Sequence, residues 1–128
     1  MQILGIDYGT AKVGVAIAQS PLAEPLEVIR YKTQEELFTR LKNIIVSHNI
    51  EKVVVGESEN ASAVEAHEFG DKLHTETGLE IVYQDESLSS IEAQALSRQA
   101  GIKRSRRKKM EDAYAATLTL QSYLDIVA

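Results

Sequence analysis

Four segments far apart in the chain each set a carboxylate at the end of an apolar run or the start of a helix-forming one. Asp7 follows ILGI, Glu57 follows VVVG, Asp85 and Glu86 follow EIVYQ, and Asp112 heads the stretch DAYAATLTLQSYL. Each acid has an ordinary structural use. Asp7, beside Tyr8-Gly9-Thr10, can accept turn hydrogen bonds; Glu57 can be solvated, Asp85 can cap, and Asp112 can favour the positive end of a helix dipole. Brought together they would do something else. Several carboxylates within a few ångströms repel one another unless a cation or a proton compensates them. Magnesium or manganese suits such a cluster, because a hard ion prefers oxygen ligands and combines one or two carboxylates with phosphate oxygens and water. Two such ions about 3.5 to 4 Å apart orient a water for in-line attack on a phosphodiester and stabilise the departing oxygen.

The charge distribution points toward the same substrate class. Residues 103–109, KRSRRKK, hold six of the 14 basic side chains and no acid. That segment carries +6, leaving eight basic against 19 acidic residues, a charge of −11, elsewhere. An acidic body repels a nucleic-acid backbone, whereas Lys103, Arg104, Arg106, Arg107, Lys108 and Lys109 together can neutralise phosphates and release their counterions. As a solvated loop, the same run would do nothing specific.

For the acids to meet, the elements must converge. Residues 2–7 and 12–18 read as two strands of a hairpin turning near Gly9, and residues 26–31 as a third, antiparallel strand following a segment that holds both prolines. Thr33 and Glu36 have capping-box spacing, so a helix is expected to start there and run to about residue 47 with Leu37, Leu41, Ile44 and Ile45 on one face. Residues 52–56, rich in valine, fit a strand buried on both faces and reached by a helical crossover. A second helix is expected from an Asn60 cap to about Thr77, with Gly78 as its stop, and a fifth strand over residues 80–84. Ser89 to Glu92 repeats the capping-box pattern before a third helix ending near residue 99. The basic run follows as a loop, and residues 110–127 form the last helix, with Asp112 in its first turn. If strands one, four and five are parallel neighbours, their carboxyl ends share one edge of the sheet, where open α/β folds place their sites.

With 128 residues the chain suits one domain, spanning residues 1–128. A hydrophobic share of 44% with 26% charged residues is a globular balance, and no apolar run approaches the roughly 18 residues of a membrane span. Cysteine is absent, which excludes disulfides and thiolate metal sites and fits a cytoplasmic protein. There is no P-loop and no Gly-x-Ser-x-Gly nucleophile elbow. His48, His67 and His74 lack metal-ligand spacing, and the few aromatics favour duplex or structured nucleic acid over single strands.

The segments DYGTAKVGVA, VVVGESEN, DESLSSIEA and EDAYAATLTLQSYL, in this order and spacing, resemble the YqgF/RuvX family of Holliday-junction-resolvase-like proteins. The first motif alone also occurs in actin-like ATPases and sugar kinases, but these need a second lobe that this length does not supply. The resemblance covers essentially the whole chain. It implies a ribonuclease-H-like α/β fold: a mixed five-stranded sheet with strands 1–3 antiparallel, strands 4 and 5 parallel to strand 1, and helices on both faces. The implied activity is a nuclease using Mg²⁺ or Mn²⁺ in a two-metal site, processing the 5′ end of precursor 16S ribosomal RNA, or else acting on branched DNA as a junction resolvase. Ribosomal precursor particles are implied partners, no membrane is, and the protein would be a monomer or homodimer. By motif, Asp7 would bridge the metals, Glu86 or Asp85 would hold one ion, and Asp112 would complete the other. Lys12 and residues 103–109 would grip phosphates. Two positions depart from the pattern. Gly56-Glu57-Ser58 replaces the usual Gly-Leu-Pro and makes Glu57 a candidate ligand. Ser87 replaces an arginine suited to stabilising phosphoryl charge, which implies weaker catalysis or a role in binding alone.

Overall fold

The computed structural model describes residues 2–19, 21–57, 63–85 and 104–127. Five strands make one sheet: β1 (Ile3–Asp7), β2 (Lys12–Ala18), β3 (Ala23–Arg30), β4 (Lys52–Glu57) and β5 (Glu80–Asp85), in the order β3-β2-β1-β4-β5. The first three are antiparallel to their neighbours, and β4 and β5 run parallel to β1. The carboxyl ends of β1, β4 and β5 therefore lie along one edge, as the sequence pattern predicts.

The helices are α1 (Gln34–Ser47), α2 (Ala63–Thr77) and α3 (Arg104–Val127). Thr33 caps α1 by accepting the Glu36 amide at 3.2 Å, and the Glu36 carboxylate accepts from the Lys32 amide at 3.1 Å. Gly78 ends α2 with φ +74°, its amide bonded to the His74 carbonyl, a conformation that suits a residue without Cβ. Three expectations need correcting. Strand β3 begins at Ala23, not at 26, and holds Pro25, which an edge strand tolerates because its outward amide needs no partner. Residues 104–109 are not a loop but the opening turns of α3, and Asp112 consequently lies in the third turn of that helix and not the first. Arginine and lysine are good helix formers, and no glycine or proline interrupts the run. The predicted third helix over residues 89–99 and the Asn60 cap lie outside the described residues.

Strand alternation divides the core in two. Leu4, Ile6, Val13, Val15, Val53 and Val55 face α1 and α2, meeting Leu37, Leu41, Phe69 and Leu73. Ile3, Ala16, Ala18 and Val54 face α3, meeting Ala116, Leu120 and Tyr123. Each fully buried leucine or valine contributes about 1.5–3 kcal/mol from removal of apolar surface from water. On the first face Tyr83 of β5 stacks on His67 with ring centroids 3.8 Å apart and donates its hydroxyl hydrogen to Asp71 at 2.9 Å. Burial, then the hydrogen bond to Asp71, pushes the Tyr83 phenol up to about 12. A raised folded-state pKa means that the stabilisation is complete below the unfolded value near 10 and is lost as pH climbs from there through 12. Tyr83→Phe is therefore expected to flatten part of the alkaline fall in stability between those values, measured by urea melts across that range.

Candidate active site

Register fixes where Asp7 sits. Its Cα is level with Gly14 of β2 on one side and Gly56 of β4 on the other, and Gly56 is level with Gln84 of β5. Residues level across a sheet share a face, and Asp7 shares the α3 face with Ile3 and Gly5 of its own strand. Three glycines on this face let the helix lie almost on the strands. A Cβ on Gly5 would stand 2.8 Å from the Leu120 Cβ, one on Gly56 would stand 2.9 Å from the Thr119 Cγ2, and one on Gly14 would fall 1.9 Å from the Asp112 carbonyl oxygen. The Asp112 backbone thus rests directly on Gly14, the residue beside Asp7.

Two clamps set α3 along its axis. Near its C-terminal end Gln121 accepts from the Ala23 amide at 2.9 Å and donates to the Pro21 carbonyl at 2.9 Å. About 13 Å of helix away, the Asp112 Oδ2 meets the Lys12 ammonium at 3.0 Å. The helix runs from the Asp7 edge of the sheet toward the start of β1. Its first turns, with the backbone of residues 104–109, therefore extend beyond that edge.

Asp7 is 3% exposed and Asp112 8%, so both acids are withdrawn from water, and the Asp112 backbone lies on the residue level with Asp7. Oδ1 of Asp7 receives no hydrogen bond among the described atoms, although the carboxylate does have a further interaction. Burying a carboxylate is costly without positive charge, and Lys12 supplies one such charge to Asp112 at contact distance. The backbones of Glu57 and Asp85, Cα partners in register, end β4 and β5 at the same edge. Glu86, Ser87 and Lys103 lie outside the described residues. Among the described residues no three acidic or histidine side chains gather into a metal-holding group. His74 bonds the Leu79 carbonyl at 2.7 Å and His67 stacks on Tyr83. Sequence reasoning passed over Gly14 as a positioning residue, though a glycine inside a valine-rich strand is a known sign of close backbone approach.

The family described as "RuvX: Holliday junction resolvase" matches residues 1–126. The chain belongs to the RuvX family. Among curated relatives, one from Agathobacter rectalis is 36% identical over all of this chain and 97% of its own length. One from Streptococcus pneumoniae is 40% identical, covering 98% of each chain. Both carry the name "Putative pre-16S rRNA nuclease". Thermus thermophilus RuvC shares the fold with a TM-score of 0.65 at 19% identity, over 99% of this chain and 97% of its own. The same protein in complex with a Holliday junction substrate gives 0.63 at 21%, over 98% and 96%. The RuvX assignment makes the chain a nuclease acting on phosphodiester bonds, and the RuvC likeness agrees with the observed ribonuclease-H-like sheet. No helix among the described residues is long and apolar enough to cross a membrane.

Proposed function

We propose that this chain is a single-domain, divalent-metal-dependent nuclease of structured nucleic acid, acting on the 5′ end of precursor 16S ribosomal RNA in the cytoplasm. The observation that carries the reading is the seating of the Asp112 backbone on Gly14, the residue level with Asp7, which brings two acidic positions 105 apart in sequence to the edge where β4 and β5 also end. Buried, anionic, oxygen-only donors fit Mg²⁺ or Mn²⁺ and suit no soft metal. Asp7 and Asp112 would hold the ion with a third acid from the end of β5. For that third acid we favour Glu86 over Asp85. Gln84 is level with Asp7, so Asp85, the next residue of β5, takes a register position on the opposite face, which leaves Glu86 of the acidic pair. A bound divalent ion polarises the phosphodiester and lowers the pKa of an attacking water.

The chain's own groups do the rest. Asp7 ends the central strand of the sheet and is enclosed there, which restricts the freedom of its carboxylate. The basic opening of α3 stands beside that edge and would anchor phosphates on either side of the cut, positioning the strand without reading its sequence. Replacing Arg106, Arg107, Lys108 and Lys109 with alanine is expected to flatten the salt dependence of binding, by roughly 0.9 in log–log slope for each duplex phosphate that is no longer neutralised. Filter binding across a salt series reads this, and an unchanged slope removes the segment from the interface. Branched DNA is the second substrate reading, favoured by the RuvC fold with its junction complex. Cleavage assays on precursor ribosomal RNA and on four-way junctions, each with Mg²⁺ or Mn²⁺, decide between the two, and binding to either without any cutting makes the chain a ribosome-assembly or nucleic-acid binding module.

A further inference from the structure

The ion pair of Lys12 with Asp112 is built into the fold. Lys12 and Gly14 are two residues apart on β2 and share a face, so the contact that presses the Asp112 backbone onto Gly14 also delivers its carboxylate to the Lys12 ammonium. The lysine side chain is 42% exposed and the aspartate side chain 11%, so the lysine reaches inward from the water with its tip to meet a carboxylate that is itself enclosed.

Resting on the nuclease reading above, we infer that the Lys12 ammonium takes the place of the second divalent cation, so that this site binds one metal ion, at Asp7, with Lys12 as its permanent second positive charge. A divalent ion on the same carboxylate oxygen would sit at about 2.0–2.1 Å, crowding an ammonium already 3.0 Å from that oxygen. An ion that displaced the lysine would have to offset the loss of that ion pair as well as its own dehydration. Asp112 would have its other oxygen for an ion held at Asp7. An ammonium has three donors, and those not spent on Asp112 are placed to hold a phosphate oxygen at the site. Lys12 then serves at the reacting phosphate as the phosphate contact its motif implies, from a position anchored by Asp112.

Counting ions tests this without any substrate. The full chain is titrated with Mn²⁺ alone and the free aqueous ion is followed by its paramagnetic resonance signal. The expected counts are one ion per chain for the unaltered protein, one for Lys12→Arg and two for Lys12→Met. Two ions on the unaltered protein overturn the inference, as does a folded Lys12→Met that still binds one. The counts on the unaltered protein and on Lys12→Arg stand even if Lys12→Met fails to fold. No bound Mn²⁺ in any of the three overturns the metal-nuclease reading itself, which distinguishes that failure from the failure of the Lys12 assignment.

Discussion

Asp7→Asn is expected to lower cleavage of structured nucleic acid by at least about a thousandfold while leaving the protein folded. The loss follows from charge and not from shape. Asparagine fills the same volume between Gly14 and Gly56 but offers a neutral amide where a divalent ion needs an anionic ligand. Removing a single well-placed electrostatic contact already costs about 10²–10³ in rate at an enclosed site, and the residue proposed to anchor the metal should cost more. Stability should move the other way. Asp7 is almost fully enclosed, so neutralising it relieves the desolvation of a buried charge in the metal-free protein. The variant should therefore melt no lower than the unaltered chain, a trade of stability for activity that is common at functional sites. Thermal melts and cleavage assays on one preparation read both effects. Loss of activity together with loss of the fold would make Asp7 a structural residue.

Gly14→Ala is expected to be the most damaging single methyl group in the protein. The added carbon would lie 1.9 Å from the Asp112 carbonyl oxygen, 2.2 Å from its carbonyl carbon and 2.8 Å from the Ala113 nitrogen. All three are backbone atoms of a helix clamped further along by Gln121, so no side chain can turn aside to make room. The helix must lift, opening the packing of Ala116 and Leu120 on the sheet. A cost of about 3 kcal/mol or more is expected, at the upper end for overpacked cores. Gly56→Ala should cost less, because its nearest obstacle is the Thr119 side chain at 2.9 Å. Gly78→Ala should be mildest, since it meets nothing within 4 Å and suffers only its positive φ. Urea melts rank the three. Gly14→Ala should also reduce cleavage beyond its effect on stability, because shifting Asp112 by about 1 Å from Asp7 can cost roughly a hundredfold. Equal melts for Gly14→Ala and Gly78→Ala would mean that α3 does not rest on β2 as described.

Much of this arrangement is legible in residue types and spacing. The valine run of β4 and the capping box at Thr33 announce a crossover to a buried parallel strand, and with the second crossover through α2 this places Asp7 and the end of β5 on one edge. Periodicity works there because burial on a sheet face leaves a regular apolar signature. The start of α3 is not legible in the same way. The five basic residues that open it have no apolar face to betray their period, so their helical state follows only from propensity and from the packed helix they extend. Likewise the meeting of Asp112 with Lys12 depends on how closely a helix lies on a strand. That is set by the missing Cβ atoms of Gly5, Gly14 and Gly56, a tertiary fact that charge patterning along the chain does not encode.

Whether Asp7 and Asp112 jointly face a divalent cation is tested most directly by anomalous diffraction from a crystal soaked in Mn²⁺. The expected result is a peak within bonding distance of the Asp7 carboxylate, with Asp112 and one acid from the 85–86 pair completing its protein ligands and the Lys12 ammonium still on Asp112. A crystal that takes up manganese elsewhere and shows none at Asp7, or a peak there with Asp112 turned away, would contradict it.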